Sequence, residues 1–207
     1  MAIKIFIDQG HNPENPNAGA EGNGYREQDL VYEIGVRLAA LLNSNPKFNA
    51  RLSRNSPDEI LGTSVASSLA ARVNAANDWG ADYFISIHAN ASDIPTATGT
   101  EGFVYSTSSA AYPLAVDIVS GISEATGIPD RGVFARPSLY VLRKTKMPST
   151  LIETGFITTQ PEAELLKNSP ELYARTTGCE TLDMAEINKS KDFLLSGAVD
   201  YEFRTTV

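Results

Sequence analysis

Ile3-Lys4-Ile5-Phe6-Ile7-Asp8-Gln9-Gly10-His11 is the stretch that decides how this 207-residue chain folds. Three isoleucines and a phenylalanine within five residues suit a buried strand, and Asp8-Gln9-Gly10 suits a tight turn at its carboxyl end. His11 therefore falls just past a strand end. Tyr83-Phe84-Ile85-Ser86-Ile87 repeats the arrangement as a second apolar strand, and His88 follows it at once. These are the only two histidines in the chain.

Outward from these strands, helical and extended patterns alternate. Leu30, Val31, Ile34, Leu38, Leu41 and Leu42 recur at helical spacing from Gln28 and stop before Asn43 and Pro46, with Glu27 at the helix start. Phe48 to Ser53 reads as a short strand, and Val65 to Asp78 as a helix with Leu69, Val73 and Ala76 inward. Glu101 to Tyr105 is predicted as a strand, followed by a helix carrying Ala111, Leu114, Ala115, Ile118, Val119 and Ile122 and ending near Gly127. Leu139 to Leu142 and Ser149 to Ile152 read as two more short strands, and Pro161 to Leu166 opens a further helix. Asn12 to Gly24, crowded with Asn, Pro and Gly, is expected to be a long loop. The alternation predicts an α/β fold: a three-layer α/β/α sandwich with a mostly parallel, mixed central sheet of about six strands flanked by helices. In such sheets, ligands bind at the carboxyl ends of strands.

Composition narrows the function. A content of 42% hydrophobic and 20% charged residues fits one globular domain with a sizeable core. A net charge of −8 without a basic cluster argues against nucleic acid as a partner. The apolar run Met1 to Ile7 is interrupted by Lys4, and no segment approaches the roughly 20 apolar residues of a membrane helix, so no membrane contact is expected. No export signal is visible, which suits either a mature fragment of a secreted protein or a phage-type lysin. The lone Cys179 can form neither an internal disulfide nor a thiolate metal site, so any metal must take nitrogen and oxygen ligands.

Two histidines at matching strand ends point to a metal more strongly than either one alone, since a single buried histidine is commonly a core residue. A catalytic zinc site takes three protein ligands and leaves a fourth position open, and two histidines with one glutamate form a standard set. Glu27 supplies that carboxylate if the glycine-rich loop after His11 folds back; the alternative is a glutamate that only complements the helix dipole. A water activated at such a site needs a group to take its proton and return it to the leaving amine. Glu153, after Thr150-Leu151-Ile152, is the candidate, and Glu101 in Gly99-Thr100-Glu101-Gly102 competes for the role.

Taken in order, these motifs resemble the zinc-dependent N-acetylmuramoyl-L-alanine amidases of the Amidase_3 type, found in autolysins, spore-cortex enzymes and phage endolysins. Ile7-Asp8-Gln9-Gly10-His11, Gly24-Tyr25-Arg26-Glu27, Phe84 to Ala91 and Pro148 to Phe156 carry the likeness, which covers about residues 3 to 175. It implies that His11, Glu27 and His88 bind Zn2+, that Glu153 is the general base and acid, that Asp8 and Asn90 orient ligands, and that Arg131 contacts substrate. It further implies peptidoglycan as substrate and an extracellular, cell-wall location, with the need for an activator protein left open. Competing expectations are a zinc peptidase or deacetylase acting on another wall bond, or a silent wall-binding module.

Two departures from the resemblance stand out. Gln9 replaces the Pro or Ala common in relatives, which is expected to alter only the turn. Thr176-Thr177-Gly178-Cys179-Glu180-Thr181 is expected to break the family's closing helix, giving a catalytic domain over 1–175 and an atypical segment over 176–207 packed on the same domain.

Overall fold

The computed structural model describes residues 2–178 and 181. Its strands are β1 (Ile3–Gln9), β2 (Glu21–Gly22), β3 (Tyr25–Arg26), β4 (Phe48–Leu52), β5 (Tyr83–Asn90), β6 (Thr100–Val104), β7 (Asp130–Ala135) and β8 (Ser149–Phe156). Its helices are α1 (Glu27–Asn43), α2 (Val65–Trp79), α3 (Ala111–Thr126), α4 (Tyr140–Lys144) and α5 (Gln160–Asn168), followed by a helical stretch over 170–178. Six strands form one sheet in the order β4-β1-β5-β8-β6-β7, parallel throughout except between β6 and β8. The mixed three-layer architecture expected from the sequence is the one observed.

The period of two along each strand sorts the side chains into two layers. Ile5, Ile7, Ile85, Ile87, Val104 and Ile152 join Leu30, Ile34 and Leu38 of α1 and Leu114, Ile118 and Ile122 of α3 in one core. On the opposite face Phe6, Phe84, Phe103 and Leu151 pack with Val73 and Ala76 of α2 and Val141 and Leu142 of α4. Phe6 and Phe84 stack with ring centroids 5.8 Å apart. Continuing along this second face, the same alternation places Asp8, Ser86, His88, Glu153 and Glu101 where the aromatic layer gives way to the strand ends.

Local signals set the helix limits. Ser64 and Ser67 form a reciprocal capping box at the start of α2, and Gly80 closes that helix in the left-handed conformation at φ 65°. Glu27 and Asp29 lie in the first turn of α1, where carboxylates offset the dipole.

Three expectations are corrected. Leu139 to Leu142 does not form a strand: β8 already has β5 and β6 on its two edges, so the segment instead becomes the short helix α4 and buries Val141 and Leu142. A four-residue apolar run carries no periodicity that separates the two outcomes. β7 gives little sequence signal because it is a largely exposed edge strand with Gly132 in its middle. Strands β5 and β8 also run further than expected, so His88 and Glu153 sit within them.

The helix expected to break at Thr176 continues through residue 178, with Thr177 buried and Gly178 against Leu41. The rest of the atypical segment, Cys179 included, lies outside the described residues apart from Thr181. No helix among the described residues is long and apolar enough to cross a membrane.

A buried ion pair joins the sheet to α2. Arg72 Nη1 lies 2.7 Å from Asp8 Oδ1, and both side chains are almost fully buried. Ser86 Oγ donates to the other Asp8 oxygen at 2.8 Å. Burial alone would raise the Asp8 carboxyl, but the Arg72 guanidinium overrides this and holds it below its ordinary value. Replacing Asp8 with Ala leaves a buried guanidinium unpaired and is expected to cost about 3–5 kcal/mol. Equilibrium urea unfolding of Asp8→Ala against the parent measures it, and a loss under about 1 kcal/mol would contradict this reading.

Candidate active site

His11, Glu27 and His88 arrive from three separate elements. Gly10 and His11 turn away from β1, Gly10 N donating to Ile87 O at 3.0 Å, so the end of β1 stays beside β5. His11 adopts φ 67°, a left-handed conformation unusual for a non-glycine residue. Arg72 fixes that turn by donating to Gln9 O and His11 O, each at 2.5 Å, while Asn12 Oδ1 accepts from it at 3.2 Å. The loop then returns through the β2–β3 hairpin and delivers Glu27 on the first turn of α1.

Glu27 Oε1 is the meeting point. His11 Nε2 lies 3.1 Å and His88 Nδ1 2.9 Å from this one oxygen, which also accepts from Ala89 N at 3.1 Å. Ala20 N donates to Oε2 at 2.9 Å. The two imidazoles meet edge to face with centroids 4.8 Å apart. Although burial favours the neutral acid, the two imidazoles hold Glu27 far below the usual carboxylate range. Two glycines let the backbone approach: a Cβ on Gly10 would fall 2.5 Å from His88 Cε1, and one on Gly19 2.8 Å from Glu27 Oε2.

This donor set fits a divalent metal. Each residue presents one ligand atom, all within 4.8 Å of one another. Tetrahedral zinc with ligands at about 2.0 Å keeps them about 3.3 Å apart, close to the separations from Glu27 Oε1.

Glu153 is the register partner of His88 on β5 and of Glu101 on β6, so the three form a row across the sheet. The antiparallel direction of β6 brings its first residues to the carboxyl end of β8. Burial, reinforced by the charges of Glu27 and Glu101, pushes the Glu153 carboxyl up to about 8, and its Oε2 is buried without a partner. Glu101 has both oxygens engaged: Asn90 Nδ2 donates to one at 2.7 Å and Arg131 Nε approaches the other at 3.1 Å. Glu153 and the cluster line a groove of about 400 Å³ with Phe103, Leu139 and Leu151 along one wall.

Among the remaining candidates, Asp8 lies beneath the site, bound to Arg72, and Arg131 is tied to Glu101 and to Thr98 O at 3.3 Å. Gln9 does more than shape the turn: its buried amide donates to Arg54 O and accepts from Arg54 N and Ser53 Oγ, fastening β1 to the end of β4.

Sequence reasoning gave two residues no role, although Arg72 lies within the stretch that carries the family resemblance. Arg72 falls on the inward stripe of α2 between Leu69, Val73 and Ala76, and a charge on that stripe is the signal that marks it. Glu162, buried, accepts from Phe156 N at 2.6 Å and Gly99 N at 3.0 Å, bracing the end of β8 against the segment entering β6. A lone acid in a first helical turn gives no hint of that reach.

Fold and cluster define the class: a mixed α/β domain with a metal-type donor set at its strand ends. The family profile described as N-acetylmuramoyl-L-alanine amidase matches residues 5–176, and the chain belongs to that family. It is 36% identical over 178 residues to the sporulation-specific N-acetylmuramoyl-L-alanine amidase of Bacillus subtilis (strain 168), a match covering 85% of this chain and 65% of that protein. It is 34% identical over 173 residues to the endolysin of Bacillus phage SPP1, covering 81% of this chain and 59% of the endolysin. The crystal structure of N-acetylmuramoyl-L-alanine amidase from Clostridium difficile 630 superposes with a TM-score of 0.80 at 30% identity, covering 89% of this chain and 97% of that one. The chain thus spans about two thirds or less of the length of these two curated relatives.

The raised Glu153 carboxyl has a measurable signature in the metal-free protein. Between its ordinary value of 4.5 and about 8 the folded state binds a proton that the unfolded state has released. Stability from this group is therefore complete below about pH 4.5 and declines as pH rises through 8. Thermal melts of chelator-treated protein across that window are expected to show the decline, and Glu153→Gln to flatten it. An unchanged slope in Glu153→Gln would assign the effect to another group.

Proposed function

We propose that the chain is a zinc-dependent N-acetylmuramoyl-L-alanine amidase acting on peptidoglycan at the cell wall. It hydrolyses the amide between the lactyl group of N-acetylmuramic acid and the L-alanine that begins the stem peptide. The observation that carries this reading is the convergence of His11, Glu27 and His88 on one point, with Glu153 beside them in the same groove. The relatives' names supply the bond, and the donor set supplies the metal type.

In this reading His11, Glu27 and His88 hold the zinc ion, and residues 1–175 form the catalytic unit, with 176–207 closing the same domain. When bound, zinc supplies Lewis-acid polarisation of the amide carbonyl and makes water more acidic. Glu153 takes a proton from the attacking water as the new C–O bond forms. It then delivers that proton to the alanine nitrogen as the C–N bond breaks, leaving a carboxylate on the sugar and a free amine on the peptide. The burial that raises Glu153 suits both halves of this cycle, because the group must gain and lose a proton near neutral pH.

Asp8 and Arg72 act from beneath by holding the His11 turn. Asn90 and Arg131 act through Glu101, fixing the position of its two oxygens. Glu153→Gln is expected to lower turnover by about 100- to 10,000-fold while binding zinc normally. Digestion of purified peptidoglycan with and without a chelator, read by mass spectrometry, tests the reading. Chelator-sensitive release of peptides with free L-alanine amino termini and intact glycan is the expected product. Cleavage inside the peptide would instead make the chain a peptidase, and loss of zinc from Glu153→Gln would make Glu153 a ligand.

A further inference from the structure

Glu27 turns one oxygen to both histidines while its other oxygen is held by a residue outside its own helix. Ala20 N donates to Oε2 at 2.9 Å, and Glu27 N donates back to Ala20 O at 2.9 Å. Whatever holds Ala20 in place therefore belongs to the site. The packing there leaves little slack: a Cβ on Gly19 would fall 2.9 Å from His11 Cδ2 and 3.0 Å from Gln28 Oε1.

Gln28 is the side chain that reaches across to this segment. Its buried amide accepts from Gly19 N at 3.1 Å and donates to Pro13 O at 3.3 Å, closing both ends of the 13–19 segment onto the first turn of α1. An amide suits the task because it offers a donor and an acceptor together. The outgoing half of the loop has its own fastening, with Asn12 N donating to Asn17 O at 2.8 Å and Asn12 Nδ2 to Pro16 O at 2.7 Å. Gln28 is what secures the return through Ala18, Gly19 and Ala20, which line the groove beside the ligands.

Gln28 is in turn anchored from below. Buried Arg54 donates from Nη2 to Gln28 O at 2.8 Å and from Nη1 to Pro57 O at 3.1 Å, with its guanidinium carbon 5.0 Å from the Tyr32 ring centroid. The Gln9 amide grips the Arg54 peptide at both N and O and fills the hollow over Gly35, where a Cβ would fall 2.5 Å from Gln9 Cγ. A buried relay from Gln9 through Arg54 and Gln28 thus ends at the amide that orients Glu27, and each member leaves the next unsatisfied if it moves. We propose that Gln28 is a positioning residue for Glu27: it latches the returning loop so that Ala20 N–H holds one carboxylate oxygen and keeps the other facing the histidines. This inference rests on the reading of His11, Glu27 and His88 as zinc ligands.

Three variants test it. Gln28→Met keeps the length of the side chain and removes both hydrogen bonds, and Gln28→Glu keeps an acceptor for Gly19 N. Asn43→Ala, which removes the amide pair with Ala50 at the far end of α1, is the control for lost stability alone. Zn2+ is titrated into each protein against a competing chromophoric chelator, and exchange of the Ala20 amide is followed by NMR in the metal-free protein. Gln28→Met is expected to bind Zn2+ about tenfold more weakly than the parent and to exchange the Ala20 amide about tenfold faster. Gln28→Glu is expected to retain the Ala20 protection, and Asn43→Ala to lose stability in urea while matching the parent in both readouts. Parent-like Zn2+ affinity and Ala20 exchange in Gln28→Met would overturn the proposal, as would equal losses in Asn43→Ala. If the parent binds no Zn2+, yet Gln28→Met and not Asn43→Ala frees the Ala20 amide, the zinc reading fails and the hold of Gln28 on Glu27 stands.

Discussion

The guanidinium of Arg72 is the point on which the site hangs. It reaches from α2 into the sheet, where it meets Asp8, Gln9 O, Ser53 Oγ, His11 O and Asn12 Oδ1 at once. A charge this deeply buried persists only when paired and hydrogen-bonded, and the groups that satisfy it are those that shape the turn carrying His11. Core packing and ligand geometry are therefore coupled through one side chain. The left-handed backbone at His11 is stable because the surrounding donors and acceptors over-determine it.

A second level of order is electrostatic. The charges of Glu27 and Glu101 both act on Glu153, yet each of the three has a different environment. Glu27 is ringed by imidazoles and amides, Glu101 by an amide and a guanidinium, and Glu153 by neither. Glu27 is held well below the usual carboxylate range, while burial pushes Glu153 up to about 8. The same residue type thus meets three different surroundings, and the difference lies in which hydrogen-bond donors surround each.

Much of this was legible in the residues. Histidines placed directly after two apolar runs gave the parallel strand ends, and the leucine spacing of α1 fixed the start at which Glu27 stands. What stayed hidden depends on tertiary contacts that no local pattern encodes. Leu139 to Leu142 was as consistent with a strand as with a helix until β5 and β6 had filled both edges of β8. The exposed edge strand β7 lacks an apolar alternation, so no strand was expected around Arg131. Gln9 passed as turn chemistry because its amide partners lie more than forty residues away.

The two-residue period that separates isoleucines from aromatic side chains also acts as a parity check on assembly. His88, Glu153 and Glu101 belong to the aromatic face, and a slip of one residue in β8 would carry Glu153 into the isoleucine layer and bring Ile152 or Thr154 into the groove. Such a chain would bury a carboxyl among aliphatic groups and forfeit both cores together. Wrong registers are thus penalised by the same side chains that form the row across the strand ends, so a stably folded molecule has that row already aligned.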